Sequence, residues 1–229
     1  PRVASNGSGF CAAWCQHDGT GFRTYANLFT TAWEASPTRL DAAAGAFEPD
    51  IASDGSGYAV TWYQGDGNIG AAVYSGSWAT AALTATDSCV SPRIASTRTA
   101  GSYAVTWYRS NVIYASNYAT GAWGAPQTIS PAGTCGLPRI AASGSVYCIV
   151  WPQAGAVDVD LYANINGGTT WAPAGAVAVD ATAGDVLDAS VASVGTGFAV
   201  TWEQDEGGSL YVDYVSLYDG SWTSPVTVA

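Results

Sequence analysis

Ten tryptophans constrain what this chain can fold into, because they fall into two interleaved series. Trp14, Trp62, Trp107, Trp151 and Trp202 form one, and Trp33, Trp78, Trp123, Trp171 and Trp222 form the other. Both recur with a period of about 44 to 51 residues, the range that marks stacked supersecondary units. The first series lies inside five copies of one phrase: "GSGFCAAWCQHDG" (7–19), "GSGYAVTWYQGDG" (55–67), "GSYAVTWYRSN" (101–111), "GSVYCIVWPQAG" (144–155) and "GTGFAVTWEQDEG" (195–207). A unit this small cannot bury its apolar face alone, so each copy must pack against a neighbour.

Each repeat holds four short extended segments, A to D. In the third they are "PRIAS" (92–96), "YAVTWYR" (103–109), "VIYASNY" (112–118) and "WGAPQTIS" (123–130). In segment B of the second repeat, Tyr58, Val60 and Trp62 alternate with Ala59, Thr61 and Tyr63, the period-two pattern of a strand. Neither set is charged, so both faces are expected to be covered by other sheets. Asn6-Gly7 and Asp54-Gly55 place residues that tolerate positive φ between A and B. The expected fold is all-β: a β-propeller of five four-stranded antiparallel blades, a single domain over 1–229 with repeats at about 1–47, 48–90, 91–136, 137–186 and 187–229. The chain opens on a segment A and ends on a segment D. Closure then rests either on packing of the first and last blades or on a further repeat.

Composition sets limits on partners. The chain is 48% hydrophobic and 11% charged, with 27 Gly and 13 Tyr, which suits a folded, turn-dense β protein. Its formal charge of -11 repels nucleic acid and anionic membranes, so neither nucleic-acid binding nor membrane insertion is expected. No apolar run approaches the roughly 20 residues of a spanning helix. With Pro1 first and no Met, the sequence reads as a processed chain or an excised piece, and an extracytoplasmic or secreted location is expected.

A second motif follows strand C. It is fullest in "NINGGTTW" (164–171) and shorter in "YSGSW" (74–78), "YATGAW" (118–123) and "YDGSW" (218–222), with "WGAP" and "WAPA" continuing two of the copies. This resembles the Asp box, Ser-x-Asp-x-Gly-x-Thr-Trp, of the bacterial neuraminidase repeat in sialidase-like propellers, with Asn in place of both Ser and Asp. The resemblance implies that the motif lies in the C–D turn, where it is structural. It also directs attention to arginines, since sialidases of this kind grip a substrate carboxylate with three of them, on six blades. Arg2, Arg93 and Arg139 recur in "PRVA", "PRIA" and "PRIA", where repeats two and five carry Asp50 and Ser190. The resemblance places strand A innermost, so these arginines either hold an anion or form ion pairs between blades, with Asp50 as a partner.

No catalytic residue is assigned. The only glutamates are Glu34, Glu48, Glu203 and Glu206, none beside a recognisable tyrosine motif, and the only histidine, His17, sits in the turn "QHDG". Five cysteines leave at least one unpaired; Cys11 and Cys148 read as small core residues, and Cys89 and Cys135 are the best-placed pair for a disulfide. Cys11, Cys15 and His17 match no zinc spacing, and the acidic turns at 17–21, 65–70 and 204–208 read as solvated β-turns. No metal or cofactor is expected.

Antiparallel order places the A–B and C–D turns at one end and the B–C and D–A connections at the other. At that second end Gln16, Gln64, Gln153 and Gln204 each stand two residues after a strand-B Trp, with Arg109 in the same place in repeat three and Tyr63 and Tyr108 adjacent. Such amides and rings suit sugar hydroxyls and apolar sugar faces. They equally suit the capping of exposed backbone. The leading expectation is a non-enzymatic, lectin-like propeller that binds glycan there, or a surface protein. The alternatives are a protein-interaction scaffold and a remote sialidase or other glycoside hydrolase.

Overall fold

The computed structural model describes residues 1–84, 88–167, 170–180 and 183–228. Among them the strands form five antiparallel sheets, each following the chain order. The first holds β1 (Arg2–Ser5), β2 (Phe10–His17), β3 (Phe22–Phe29) and β4 (Thr38–Arg39). The second holds β5 (Ala46–Ser53), β6 (Tyr58–Gln64), β7 (Ile69–Tyr74) and β8 (Trp78–Ala82). The third holds β9 (Cys89–Ser96), β10 (Tyr103–Arg109), β11 (Val112–Ala119), β12 (Ala122–Trp123) and β13 (Gln127–Thr128). The fourth holds β14 (Arg139–Ser143), β15 (Val146–Ala154), β16 (Val159–Asn166) and β17 (Ala176–Ala178), and the fifth β18 (Asp185–Val194), β19 (Gly197–Asp205), β20 (Tyr211–Tyr218) and β21 (Val226–Thr227). By contacts the chain divides into two compact units, residues 1–110 with 116–126, and residues 111–115 with 127–229.

Outer strands are short for a reason legible in their prolines. The expected continuous segment 123–130 is split into β12 and β13, because Pro126 has no N–H for the ladder. Pro37 and Pro225 likewise stand just before the two-residue strands β4 and β21. The fourth strand that no proline interrupts, β8, reaches five residues.

The expectation that strand B is covered on both faces is met in the second sheet. Tyr58, Val60 and Trp62 share one core with Cys11, Ala13, Ala26 and Leu28 of the first sheet, while Ala59 and Thr61 on the opposite face are also buried. In the second unit, Phe198, Val200 and Trp202 pack with Cys148, Val150, Leu161 and Ala163. Each fully buried large side chain contributes about 1.5–3 kcal/mol. None of the five cysteines is in a disulfide, which corrects the expected Cys89–Cys135 bond. The thiol of Cys135 instead donates to Gln153 Oε1 at 3.5 Å. Cys11 and Cys148 are core residues, and burial pushes the Cys11 thiol up to about 12.

The A–B hairpins close through an Asx turn. Asn6 Oδ1 accepts from the N–H groups of Ser8 (3.0 Å) and Gly9 (2.8 Å), and Asp54 Oδ1 from those of Ser56 (2.8 Å) and Gly57 (2.6 Å). Gly7 and Gly55 both have φ of +91°, which a side chain would strain. Asp54 also reaches the third sheet, where its Oδ2 accepts the Gly101 N–H at 2.7 Å. Burial acts to raise its pKa, but the Gly101, Gly57 and Ser56 N–H groups outweigh burial and hold it at about 2. A depressed carboxylate stabilises the fold fully above its unfolded value and loses that contribution as pH falls through the folded one. Urea unfolding should therefore show wild type losing about 2 kcal/mol more than Asp54→Asn between pH 5 and pH 2.

Candidate functional site

In each sheet the second residue after the strand-B tryptophan stands where the B–C connection begins. The Trp62 indole N–H donates to Gln64 Oε1 at 3.2 Å, Trp151 to Gln153 at 2.9 Å and Trp202 to Gln204 at 2.9 Å. With its oxygen fixed, each glutamine turns Nε2 to the D–A connector lying 21 residues earlier. Gln64 donates to the carbonyls of Ala43 (3.0 Å) and Ala44 (2.8 Å), Gln153 to Ala132 (3.4 Å) and Gln204 to Ala183 (3.0 Å). A glycine follows each clamped stretch, Gly45, Gly133 and Gly184, all with positive φ. A Cβ on Gly133 or Gly184 would come within 2.9 or 2.8 Å of the glutamine nitrogen. These three glutamines are thus caps that hold connectors. Gln16 differs: it accepts from Trp14 at 3.0 Å, but it is exposed and clamps no connector among the described residues. Arg109 takes the position in the third sheet and is half-buried.

The strand-A arginines meet carboxylates. Arg2 Nε lies 3.7 Å from Asp50 Oδ1, joining the first and second sheets, and Arg139 Nη2 lies 3.1 Å from Asp188 Oδ1, joining the fourth and fifth. Arg93 donates to the Pro92 carbonyl at 2.7 Å and acts electrostatically on Asp50. Asp50 Oδ2 accepts the Ile94 N–H at 3.0 Å; burial nonetheless raises its pKa. Arg2 and Arg139 therefore make ion pairs between sheets.

A buried carboxylate that sequence reasoning did not single out ties down the same end of the first sheet. Asp41 has a fully buried side chain, and it accepts from Arg23 Nη1 (3.3 Å), Arg39 Nη2 (3.3 Å) and the Thr24 N–H (2.8 Å). Arg23 is held in turn by Asp18 at 2.9 Å. Thr84 and Ser130 take the equivalent place after strand D, accepting the N–H groups of Ile69 and Ile113 at 3.0 Å each. The signal is an apolar residue followed by a polar one: Leu40-Asp41, Leu83-Thr84, Ile129-Ser130 and Val179-Asp180.

Cross-strand register then exposes one irregular repeat. Trp14 faces Tyr25, Trp151 faces Tyr162 and Trp202 faces Tyr214, as stacked pairs with ring centroids 6.0, 6.2 and 5.6 Å apart. Trp62 faces Gly70, and a Cβ there would lie 2.3 Å from the indole Cε2. Beside this pair is a cavity of about 200 Å³, walled by Leu40, Ala43, Gln64, Asp66, Asn68 and Thr80. In the second unit a cleft of about 490 Å³ is lined by Arg139, Asp188, Glu203, Asp213 and Tyr214. Its three carboxylates form a row, since Asp188 pairs with Glu203 and Glu203 with Asp213. Among the described residues no group of three or more His, Cys, Asp and Glu is arranged to hold a metal ion, and no helix is long and apolar enough to cross a membrane.

The "NINGGTTW" motif begins in the last three residues of β16 and runs into the connection to β17; Gly168 and Thr169 fall outside the described residues. Asn164 donates to the carbonyls of Ala172 (2.9 Å) and Ile129 (3.2 Å), and Trp171 is buried. The shorter copies close their hairpins with ring pairs, Tyr74–Trp78 (5.2 Å), Tyr118–Trp123 (5.2 Å) and Tyr218–Trp222 (5.1 Å).

No family model and no curated protein matches the chain. Solved structures resemble it in fold. The fungal lectin of Aleuria aurantia, described as a six-bladed β-propeller with a novel fucose recognition mode, gives a TM-score of 0.55 at 16% identity, over 100% of this chain and 77% of that one. An exo-1,5-α-L-arabinanase from a bovine ruminal metagenomic library gives 0.51 at 12% identity, over 100% and 96%. A prolyl endopeptidase gives 0.58 at 11% identity, over 96% of this chain and 33% of that one. Likenesses this remote carry fold and not activity. The chain has an all-β propeller fold of five four-stranded antiparallel sheets.

Proposed function

We propose that the chain is a non-enzymatic, lectin-like propeller, a single domain over 1–229, that recognises glycan at the end formed by the B–C and D–A connections. One observation carries this reading: the cavity beside Trp62 is lined by residues of the B–C and D–A connections and combines apolar Leu40, Ala43 and Trp62 with Asp66, Asn68 and Thr80. Sugars need that mixture of an apolar face and convergent polar groups. The fucose-binding lectin among the structural neighbours supports it by analogy. Of the eight residues at or near this end, Gln64, Gln153 and Gln204 shape its walls, Gln16 and Arg109 remain as polar contacts, and Arg2, Arg93 and Arg139 brace strand A. The eroded box motifs relate the repeat to sialidase-like propellers, and an extracytoplasmic location fits a glycan or glycoprotein partner. A charge of -11 argues against nucleic acid.

A second reading has its own observation. The row Asp188, Glu203 and Asp213 sets carboxylates directly opposite one another on neighbouring strands of one cleft, and glycoside hydrolysis uses a pair of carboxyl groups. One experiment separates the two: purified chain is applied to a glycan array and, in parallel, incubated with arabinan and aryl glycosides. Selective retention without sugar release is the expected result. Release that disappears in Glu203→Gln would replace recognition by hydrolysis, and neither binding nor release would refute both.

A further inference from the structure

Resting on the glycan reading, we infer that recognition is concentrated in the second blade, in the cavity beside Gly70, a position where other blades carry a tyrosine, and that this slot takes one neutral pyranose ring. The fifth blade shows what the slot lacks. There the Tyr214 ring stacks on Trp202 at 5.6 Å and 18°, and its hydroxyl donates to Glu206 Oε1 at 2.9 Å. The Gln204 amide donates to the same oxygen at 3.1 Å. Ring, hydroxyl and carboxylate thus form an internal complex beside the tryptophan.

The second blade keeps three parts of this arrangement and deletes the fourth. Trp62, Gln64 and Asp66 stand where Trp202, Gln204 and Glu206 stand, and Gly70 stands where Tyr214 does. Asp66 is exposed and lines the cavity; its Oδ1 accepts the Asn68 N–H at 3.0 Å, but no tyrosine hydroxyl approaches from strand C. The indole closes down on Gly70, but the cavity beside it is open, so a ring with a hydroxyl on its edge would pack against Leu40, Ala43, Ala82 and the indole edge and donate to Asp66. A sugar is such a ring.

Size and charge narrow the ligand class. About 200 Å³ falls below the roughly 300–1,000 Å³ of sites for drug-sized molecules, so one ring fits and an oligosaccharide continues outside. Leu40, Ala43 and Ala82 give an apolar wall for a deoxy or axial-hydrogen face. The Gln64 amide is committed to the connector, so the charged group facing the ligand is Asp66. A carboxylated sugar would be repelled by it, which separates this site from an arginine-lined pocket for sialic acid.

The test is ligand-observed NMR and calorimetry with the methyl glycosides of L-fucose, L-arabinopyranose, D-galactose and D-mannose, and with N-acetylneuraminic acid. Wild type is expected to bind at least one neutral glycoside and not the acid. Gly70→Tyr, which restores the pattern of the other blades, should weaken that binding by more than about tenfold, as should Asp66→Ala. Because a Cβ at 70 obliges Trp62 to turn, Gly70→Tyr is first checked by circular dichroism; Asp66, on the surface, supplies the independent variant. Undiminished binding in Asp66→Ala and in folded Gly70→Tyr overturns the slot while leaving glycan recognition standing. Binding of no glycoside by wild type overturns the slot and the broader reading together, and preference for the acid overturns the slot alone.

Discussion

Replacing Asp41 by alanine is expected to lower stability by about 3 kcal/mol in urea unfolding, with Asn costing about half as much. The size follows from what the change leaves behind. Arg23 has only 11% of its side chain exposed and would keep a single carboxylate, Asp18, for a charge now held by two. The Thr24 N–H, also buried, would lose its only side-chain acceptor, Asp41 Oδ1. Removing one partner from a buried ionic cluster costs more than the cluster contributes when intact, because the remaining charge stays desolvated. Asn can still accept from Thr24, but its amide cannot face two guanidinium groups. A loss below about 1 kcal/mol for Asp41→Ala would show that water reaches Arg23 freely.

The second large effect distinguishes clamp from ligand contact. Gln153→Ala should cost about 2 kcal/mol, because it strands the indole N–H of the fully buried Trp151 and releases the connector carbonyl of Ala132, where Gln153 is 4% exposed. Gln16→Ala should cost less than about 1 kcal/mol, since Gln16 is exposed and clamps no connector. The midpoint of denaturation should shift without a change of slope, because a connector loosens while the core stays packed. Equal and small losses at both positions would mean that the amides do not hold the chain, and that their repetition has another cause.

Much of the fold was legible because its signals are periodic and local. Two tryptophans per repeat, alternating strand B and Asn-Gly or Asp-Gly turns each report on neighbours in sequence, and the structure realises all three. Strand D was read as continuous where it is broken at Pro126, a reminder that a missing N–H outweighs an extended pattern. The glutamine spacing was equally visible, but its role was not. Whether Gln64 meets a ligand or the Ala43 carbonyl depends on where a connector 21 residues away returns. Asp41 was passed over because a lone acidic residue after a strand looks solvated until two arginines converge on it. Gly70 was the subtlest omission. Aligning strand C gives Tyr25, Gly70, Tyr114, Tyr162 and Tyr214, so the exception was printed in the sequence. Only the register shows that it faces Trp62, whose indole closes down on it beside the cavity.

The most direct measurement of the central claim is the stoichiometry of glycan binding, by calorimetric titration of wild type with the strongest neutral sugar from the array. Recognition at the second-blade slot predicts a single class of site, one per chain, lost in Gly70→Tyr. Several equivalent sites per chain, one for each repeat, would contradict it and return the weight to the surfaces that all five blades share.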